Sequence, residues 1–274
     1  MRDKLQTLLA RLRFDGMAAA LEAELERAER EATPAPELIH RLLCAEAASQ
    51  RQRSLAYRLK QARLPWDWTL STFPFDAQPS INRGQIKTLA GLDFLSRANN
   101  IVLSGKTGTG KTGIAIGILR EACLNGYRGR FYDAQDLLDE LYASLADRST
   151  SRLLKRLSRL QPLVIDKVDN LNVKPEQANA FFRLIDQRYN RVSTIITTSL
   201  ELNDWYELFD KKHLVDALLD RLRHRCISIS IDGPSLRTPV AQAASAGQKR
   251  SSRQLARHAS RRGAAEGARV GGQP

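Results

Sequence analysis

"NIVLSGKTGTGKTGIAIGIL", residues 100–119, decides the fold. It opens with an apolar run ending in glycine, the pattern of a short buried strand. It closes in an apolar stretch that continues through "REACLNG", read as a helix stopped by Gly126. Between the two stands "GKTGTGKT", which meets every fixed position of G-x-x-x-x-G-K-[ST] in the strand-to-helix setting that motif requires. Gly105, Lys106, Thr107, Gly108, Thr109, Gly110, Lys111 and Thr112 are therefore expected to form a phosphate-binding loop. Glycines let the backbone wrap a phosphate with its N–H groups, and the following helix adds its positive dipole end. Lys111 is placed to reach the β- and γ-phosphates, and the Thr112 hydroxyl to serve Mg²⁺. ATP and Mg²⁺ are the expected cofactors.

Outward from the loop, strands and helices alternate. "GRFYDAQDLLDELYASL" reads as strand then helix, "QPLVID" as a strand, "EQANAFFRLIDQRYN" as a helix and "STIITTS" as a strand. Right-handed crossovers then give an α/β P-loop fold, a parallel sheet flanked by helices on both faces. A second anchor is expected at the end of another apolar strand, and Asp166 fits, holding Mg²⁺ through water beside Thr112. Asp169 is the substitute; three residues past the strand, it otherwise reads as a solvated turn residue.

Before the sheet lies a small all-helical unit, residues 1–66. Leu5, Leu8, Leu9, Leu12, Met17, Leu21 and Leu25 recur at helical spacing, and "FDGM" divides them into two helices with Gly16 at the expected turn. "TPAP" ends the second helix, and a third runs from Glu37 to about Arg63 before Pro65. Residues 67–84, irregular and aromatic, read as a linker and 85–237 as the nucleotide-binding domain. Residues 238–274 contain almost no large apolar side chains and are expected to be disordered.

The formal net charge of +13 points to a polyanionic partner, nucleic acid above all. About half the excess lies from Arg237 to the end, where eight Lys or Arg stand against Glu266 alone. Two helical stripes carry much of the rest. "RQRSLAYRLKQAR" holds Arg51, Arg53, Arg58, Lys60 and Arg63 and no acid, with Arg51 and Arg58 two turns apart on one face. "RSTSRLLKRLSRL" holds Arg148, Arg152, Lys155, Arg156 and Arg159, again with no acid. Both stripes suit the phosphates of double-stranded DNA, with affinity that falls as salt rises and little base readout. Each also suits a solvated basic face, or the first a surface for an acidic partner helix.

Three widely spaced cysteines, Cys44, Cys123 and Cys226, fit free thiols in a reducing cytoplasm. No apolar run approaches the roughly 18 residues of a membrane span, so no membrane role is expected. The first residues lack the apolar block of a signal peptide.

Taken in order, "FDGMAAALE", "LLCAEAASQRQRSLAYRLKQARLP", the phosphate loop, "EACLNGYRGRFYDAQDLLDEL", "RYNRVSTIITTSLELNDWYELF" and "ALLDRLRHRC" resemble the IstB family of transposition helper ATPases, AAA+ proteins similar to the DnaC helicase loaders. The resemblance covers about residues 5–237. It implies an AAA+ core, a homo-oligomer closed through the ATP interface, assembly on target duplex DNA and a cognate transposase as partner. It adds Ser199 and Arg221 to Lys111 and Asp166 as catalytic residues. Ser199 falls at the sensor-1 place, where the family usually has asparagine. Arg221 falls at the place of an arginine finger acting on a neighbouring subunit; read from the residues alone, it equally suits an ion pair with Asp216 or Asp220. "GPSLRTP" resembles a family ending that usually has tyrosine where Leu236 stands.

One departure bears on chemistry. The family normally has Asp-Glu where this chain has Asp166-Lys167. The glutamate accepts a proton from, or orients, the attacking water, and positioned groups of this kind contribute about 10²–10⁴-fold in rate. A charged ammonium has no lone pair with which to do so. The expectation is an ATP-binding switch that hydrolyses slowly, unless Asp169 or Asp133 positions the water. The other readings are a helicase loader of the DnaC kind acting on single strands, and a nucleotide-dependent DNA clamp that does not hydrolyse.

Overall fold

A computed structural model describes residues 2–171, 173–207 and 212–237. The stretch expected to be a disordered tail lies outside the described residues. The helical start comprises α1 (Arg2–Arg11), α2 (Asp15–Glu31) and α3 (Ala35–Ala62). Two short helices, α4 (Arg83–Ala90) and α5 (Asp93–Ser96), lead into the sheet domain. There follow β1 (Asn100–Gly105), α6 (Lys111–Leu124), β2 (Arg130–Asp133), α7 (Ala134–Ala146), α8 (Thr150–Leu157), β3 (Leu163–Asp166), α9 (Pro175–Arg188), β4 (Thr194–Thr198), α10 (Lys212–His224) and β5 (Cys226–Ile231).

The five strands form one parallel sheet in the order β2-β3-β4-β1-β5. β1, β3 and β4 are almost wholly buried, as expected of central parallel strands covered on both faces. Alternate residues divide between two cores. Val102, Leu163, Ile165 and Ile196 face α7, α8, α9 and α10, where Leu137, Leu154, Phe181 and Leu219 fill the space. Ile101, Leu103, Val164 and Ile195 face α6 and the α4–α5 segment.

The supposed linker is docked. Trp68 lies over Gly113 and Leu70 over Gly117, four residues apart on one face of α6. A Cβ at either glycine would come within 2.6 Å of the strap. Phe73 and Ile81 are buried in the same core. Residues read as irregular spacer thus cover a groove cut in α6 by two glycines.

The helical unit corrects one expectation. Gly16 is not in the turn; it sits in the first turn of α2, and Arg13, with φ 61°, makes the break. A Cβ at Gly16 would stand 2.6 Å from the Ala45 carbonyl oxygen on α3. The close approach lets Gly16 N–H donate to Glu46 Oε2 at 2.8 Å, with Met17 N–H at 3.2 Å. Leu9, Leu21 and Leu42 form a small core of their own.

Behind the sheet, the fully buried Arg188 has no carboxylate partner among the described residues. Its guanidinium donates to the carbonyls of Leu157 (2.6 Å), Leu160 (2.9 Å) and Ser193 (2.5 Å) and to Thr194 Oγ1 (2.9 Å). Burial lowers its pKa to about 9, so it stays charged at neutral pH. It ties the end of α8 and the turn after it to the start of β4.

Candidate nucleotide-binding site

The phosphate loop bends from β1 into α6 on glycines with positive φ, Gly108 at 87° and Gly110 at 98°. A Cβ at Gly110 would strike the Phe73 ring at 2.7 Å, so backbone conformation and packing both require glycine. A cleft of about 480 Å³ opens over the loop, within the range of roughly 300–1,000 Å³ usual for small-molecule sites. Thr107, Gly108, Gly110, Lys111 and Thr112 line it. Gly105, Lys106 and Thr109 do not; buried Thr109 braces the loop through Oγ1 to the Lys106 carbonyl at 2.9 Å.

Lys111 Nζ donates to the carbonyls of Gly105 (2.5 Å) and Lys106 (2.9 Å). Burial lowers its pKa, while Asp169 and Asp166 oppose that shift. Thr112 Oγ1 donates to Asp166 Oδ1 at 2.8 Å, bringing together the two residues expected to share a metal. Asp166 also accepts from Thr197 Oγ1 at 2.6 Å. Burial raises its pKa above the ordinary carboxylate range; the two hydroxyl bonds only partly counter it.

Lys167 adopts a left-handed conformation, φ 60°, and lines the cleft. Its ammonium lies 3.0 Å from Asp133 Oδ2, and this bond raises its pKa. Asp133 Oδ1 caps α7 by accepting from Gln135 N–H at 3.1 Å. Of the two alternative water-positioning carboxylates, Asp133 bonds through both oxygens and does not line the cleft, whereas Asp169 does. Asp169 is not a free turn residue: it accepts from Ser199 N–H (2.9 Å) and Ser199 Oγ (2.6 Å).

Ser199 lies just beyond β4 and does not line the cleft; Thr197 of β4 does. Arg221 is outside the cleft too. It pairs not with Asp216 or Asp220 but with Asp186 of α9, at 2.9 Å. Three contributors escaped the sequence reading: Thr197, the aromatic wall of Trp66 and Trp68, and Arg237. The turn bearing Arg237 is tied to the loop by Leu236 N–H on the Gly108 carbonyl, 2.8 Å. Its only local signal was the "GPSLRTP" segment.

The basic stripes are partly self-satisfied. Arg53 pairs with Asp15 and with Glu46 (2.9 Å), and Arg156 pairs with Glu140. Arg58 is half-buried, donating Nε to the Cys123 carbonyl at 2.8 Å and Nη1 to Ser54 Oγ at 2.6 Å. Arg51, Lys60, Arg63, Arg152, Lys155 and Arg159 are exposed.

A phosphate loop leaving β1, a carboxylate ending β3 and a hydroxyl on β4 between them, on a sheet of this order, define a P-loop nucleotide-binding protein of the AAA+ class. The fold matches the crystal structure of the DnaC helicase loader, with a TM-score of 0.53 at 24% identity over 62% of this chain and 99% of that one. It also matches AMPPCP-bound DnaA from Aquifex aeolicus, with a TM-score of 0.51 at 20% identity over 62% and 51%. At such identities the likeness speaks for the fold alone. The sequence model of the family described as IstB-like ATP binding protein matches residues 7–244, and the chain belongs to that family. It is 36% identical over 234 residues to the insertion sequence IS21 ATP-binding protein of Pseudomonas aeruginosa, covering 85% of this chain and 88% of that protein. With the insertion sequence IS5376 ATP-binding protein of Geobacillus stearothermophilus it shares 32% over 237 residues, 86% and 94% of the two chains.

Proposed function

We propose that this protein is an ATP-dependent helper of DNA transposition. It binds ATP with Mg²⁺ in the cleft over the phosphate loop, oligomerises on target duplex DNA and recruits or activates a transposase, acting in the bacterial cytoplasm. The observation that carries the reading is the Thr112–Asp166 pair, 2.8 Å apart beside Lys111, in a chain whose relatives are insertion-sequence ATP-binding proteins. The metal fits these residues: a hydroxyl and a carboxylate are the hard oxygen donors Mg²⁺ prefers, and it keeps waters in its remaining positions. When bound, the ion neutralises phosphate charge. Lys111 adds its ammonium to the same phosphates, and Arg237 contributes a second cation at the rim.

A DnaC-like loader shares the core, so the fold does not separate the two readings. The family match does favour transposition, because it begins at residue 7 and takes in the helical unit, whereas the DnaC likeness covers 62% of the chain. The Lys167–Asp133 pair favours slow turnover, in which the protein holds ATP and grips DNA as a clamp.

Electron microscopy of the protein with duplex DNA, with and without ATP, tests the reading. ATP-dependent rings or filaments on the duplex are expected, and they should disappear with Lys111→Ala. Binding confined to single strands, or duplex assemblies unaffected by Lys111→Ala, would reject it.

A further inference from the structure

The two basic stripes, some ninety residues apart in sequence, meet in space. A groove of about 430 Å³ runs between α3 and α8, floored by the start of β2. Arg58 faces it from α3, Arg128 and Arg130 from the floor, and Arg152, Lys155, Arg156 and Arg159 from α8 and the turn after it. No acid lines it. The groove lies at the N-terminal ends of β2 and β3, opposite the strand ends that carry the phosphate loop and Asp166.

Arg130 sets this place apart from an ordinary basic surface. It is 8% exposed, and its Nε has no hydrogen-bond partner among the described residues. Its guanidinium stacks on the Tyr132 ring, 4.8 Å from the centroid, while the Tyr132 hydroxyl donates to Glu140 at 2.8 Å. Glu140, which could have served the groove, is taken by Tyr132 and Arg156. A buried guanidinium N–H without a partner is unfavourable, and crowding cations around it makes it more so. Burial lowers the Arg130 pKa; Arg63 and Arg156 add to the shift, while Tyr132 and Glu140 oppose it. Arg128, Arg152, Lys155 and Arg159 are exposed at the rim with no carboxylate in ion-pair range among the described residues. An anion with several oxygens satisfies all of these groups together, and phosphate matches arginine's planar fork.

We infer that this groove is a second phosphate site, distinct from the nucleotide cleft, and that it seats backbone phosphates of the bound DNA duplex. The inference rests on the duplex-binding reading above. Arg130 supplies the buried anchor, the rim cations follow the strand, and Tyr57, exposed beside them, meets a sugar. The groove also joins the helical unit to the sheet domain, so DNA seated there touches both.

The test uses the full-length chain with a non-hydrolysable ATP analogue filling the phosphate loop. Affinity for a labelled random-sequence duplex is measured across a KCl series for wild type, Arg130→Gln and the double variant Arg152→Ala/Arg159→Ala. Nucleotide affinity is followed in parallel as a control for folding. Because its two residues are exposed, the double variant remains informative if Arg130→Gln folds poorly. Affinity is expected to fall about tenfold or more at fixed salt. The slope of log affinity against log salt is expected to shrink by about 1–2, since each lost phosphate contact removes about 0.9. If wild type binds duplex and the double variant matches it in affinity and slope, the groove assignment is wrong and the duplex reading survives. If wild type binds no duplex, both fall. A parallel titration with inorganic tripolyphosphate separates the sources. Retention of that anion by wild type and its loss from the double variant, with duplex binding equal in the two, would make this a free-anion site and overturn the proposal.

Discussion

The ammonium of Lys167 sits 3.0 Å from the carboxylate of Asp133, across the ends of two neighbouring strands. The pair disfavours both groups as a water-activating base. Lys167 is held in its charged form, and Asp133 has one oxygen on that ammonium and the other on the α7 N-terminus.

Lys167→Glu should therefore speed ATP hydrolysis by about 10²-fold or more, within the range for a positioned acid–base group. Both side chains would occupy the same left-handed backbone, so the exchange adds no new strain of that kind. Steady-state phosphate release with Mg²⁺ and duplex DNA measures it. A wild type already as fast as K167E would contradict the prediction and direct attention to Asp169.

Asp166 ties stability to pH. Burial raises its folded pKa, so the native state holds its proton more firmly than the unfolded chain does. Stability from this group is thus lost as pH rises from the ordinary carboxylate value, about 3.9, through the raised one. Asp166→Asn removes the titration while keeping an oxygen for the Thr112 and Thr197 hydroxyls. Without nucleotide or Mg²⁺, D166N should melt higher than wild type at neutral pH, with the gap closing below the carboxylate range. It should also lose Mg²⁺-dependent nucleotide affinity. Thermal melts across pH check the first claim, and a gap independent of pH would refute it.

What could be read from the sequence follows from how local each signal is. The phosphate loop is one unbroken stretch whose spacing is its chemistry, and Asp166 is the polar end of an apolar strand. Thr197, by contrast, reaches Asp166 only because β3 and β4 are neighbours, and nothing in "STIITTS" tells which hydroxyl points inward. Arg130 looks like any strand-edge arginine until α3 and α8 close around it. Glycine misled for a related reason. It signals turns because it tolerates positive φ, but at Gly16, Gly113 and Gly117 its missing Cβ matters instead, admitting a backbone or side chain from elsewhere.

Gly16→Ala tests that point. Better helix propensity would favour alanine by up to about 1 kcal/mol. Its Cβ, however, would meet the Ala45 oxygen and Ser49 Cβ at 2.6 Å, and overpacking typically costs about 1–3 kcal/mol. The expected net effect is a loss of about 1–2 kcal/mol in the helical unit, seen as a lower melting temperature. An unchanged or raised melt would mean that α2 and α3 separate freely.

Arg221 and Asp186 offer a way to tell a structural ion pair from a residue acting on a neighbouring subunit. The pair is partly exposed, with side chains 33% and 60% accessible, and such pairs contribute about 0–1 kcal/mol. If the pairing were the whole role of Arg221, then R221A and D186A would be equivalent: slightly less stable and equally able to assemble on DNA with ATP. A residue reaching a neighbour's phosphates behaves otherwise. Arg221→Ala should then abolish ATP-dependent assembly, whereas Asp186→Ala, which frees the guanidinium, should leave it intact or strengthen it. Sizing each variant with ATP and duplex DNA measures the difference. Mixing R221A with Lys111→Ala protein sharpens it, because interfaces pairing an intact Arg221 with an intact phosphate loop still form between the two kinds of subunit. Partial recovery in the mixture is expected, and none would assign Arg221 to its own chain.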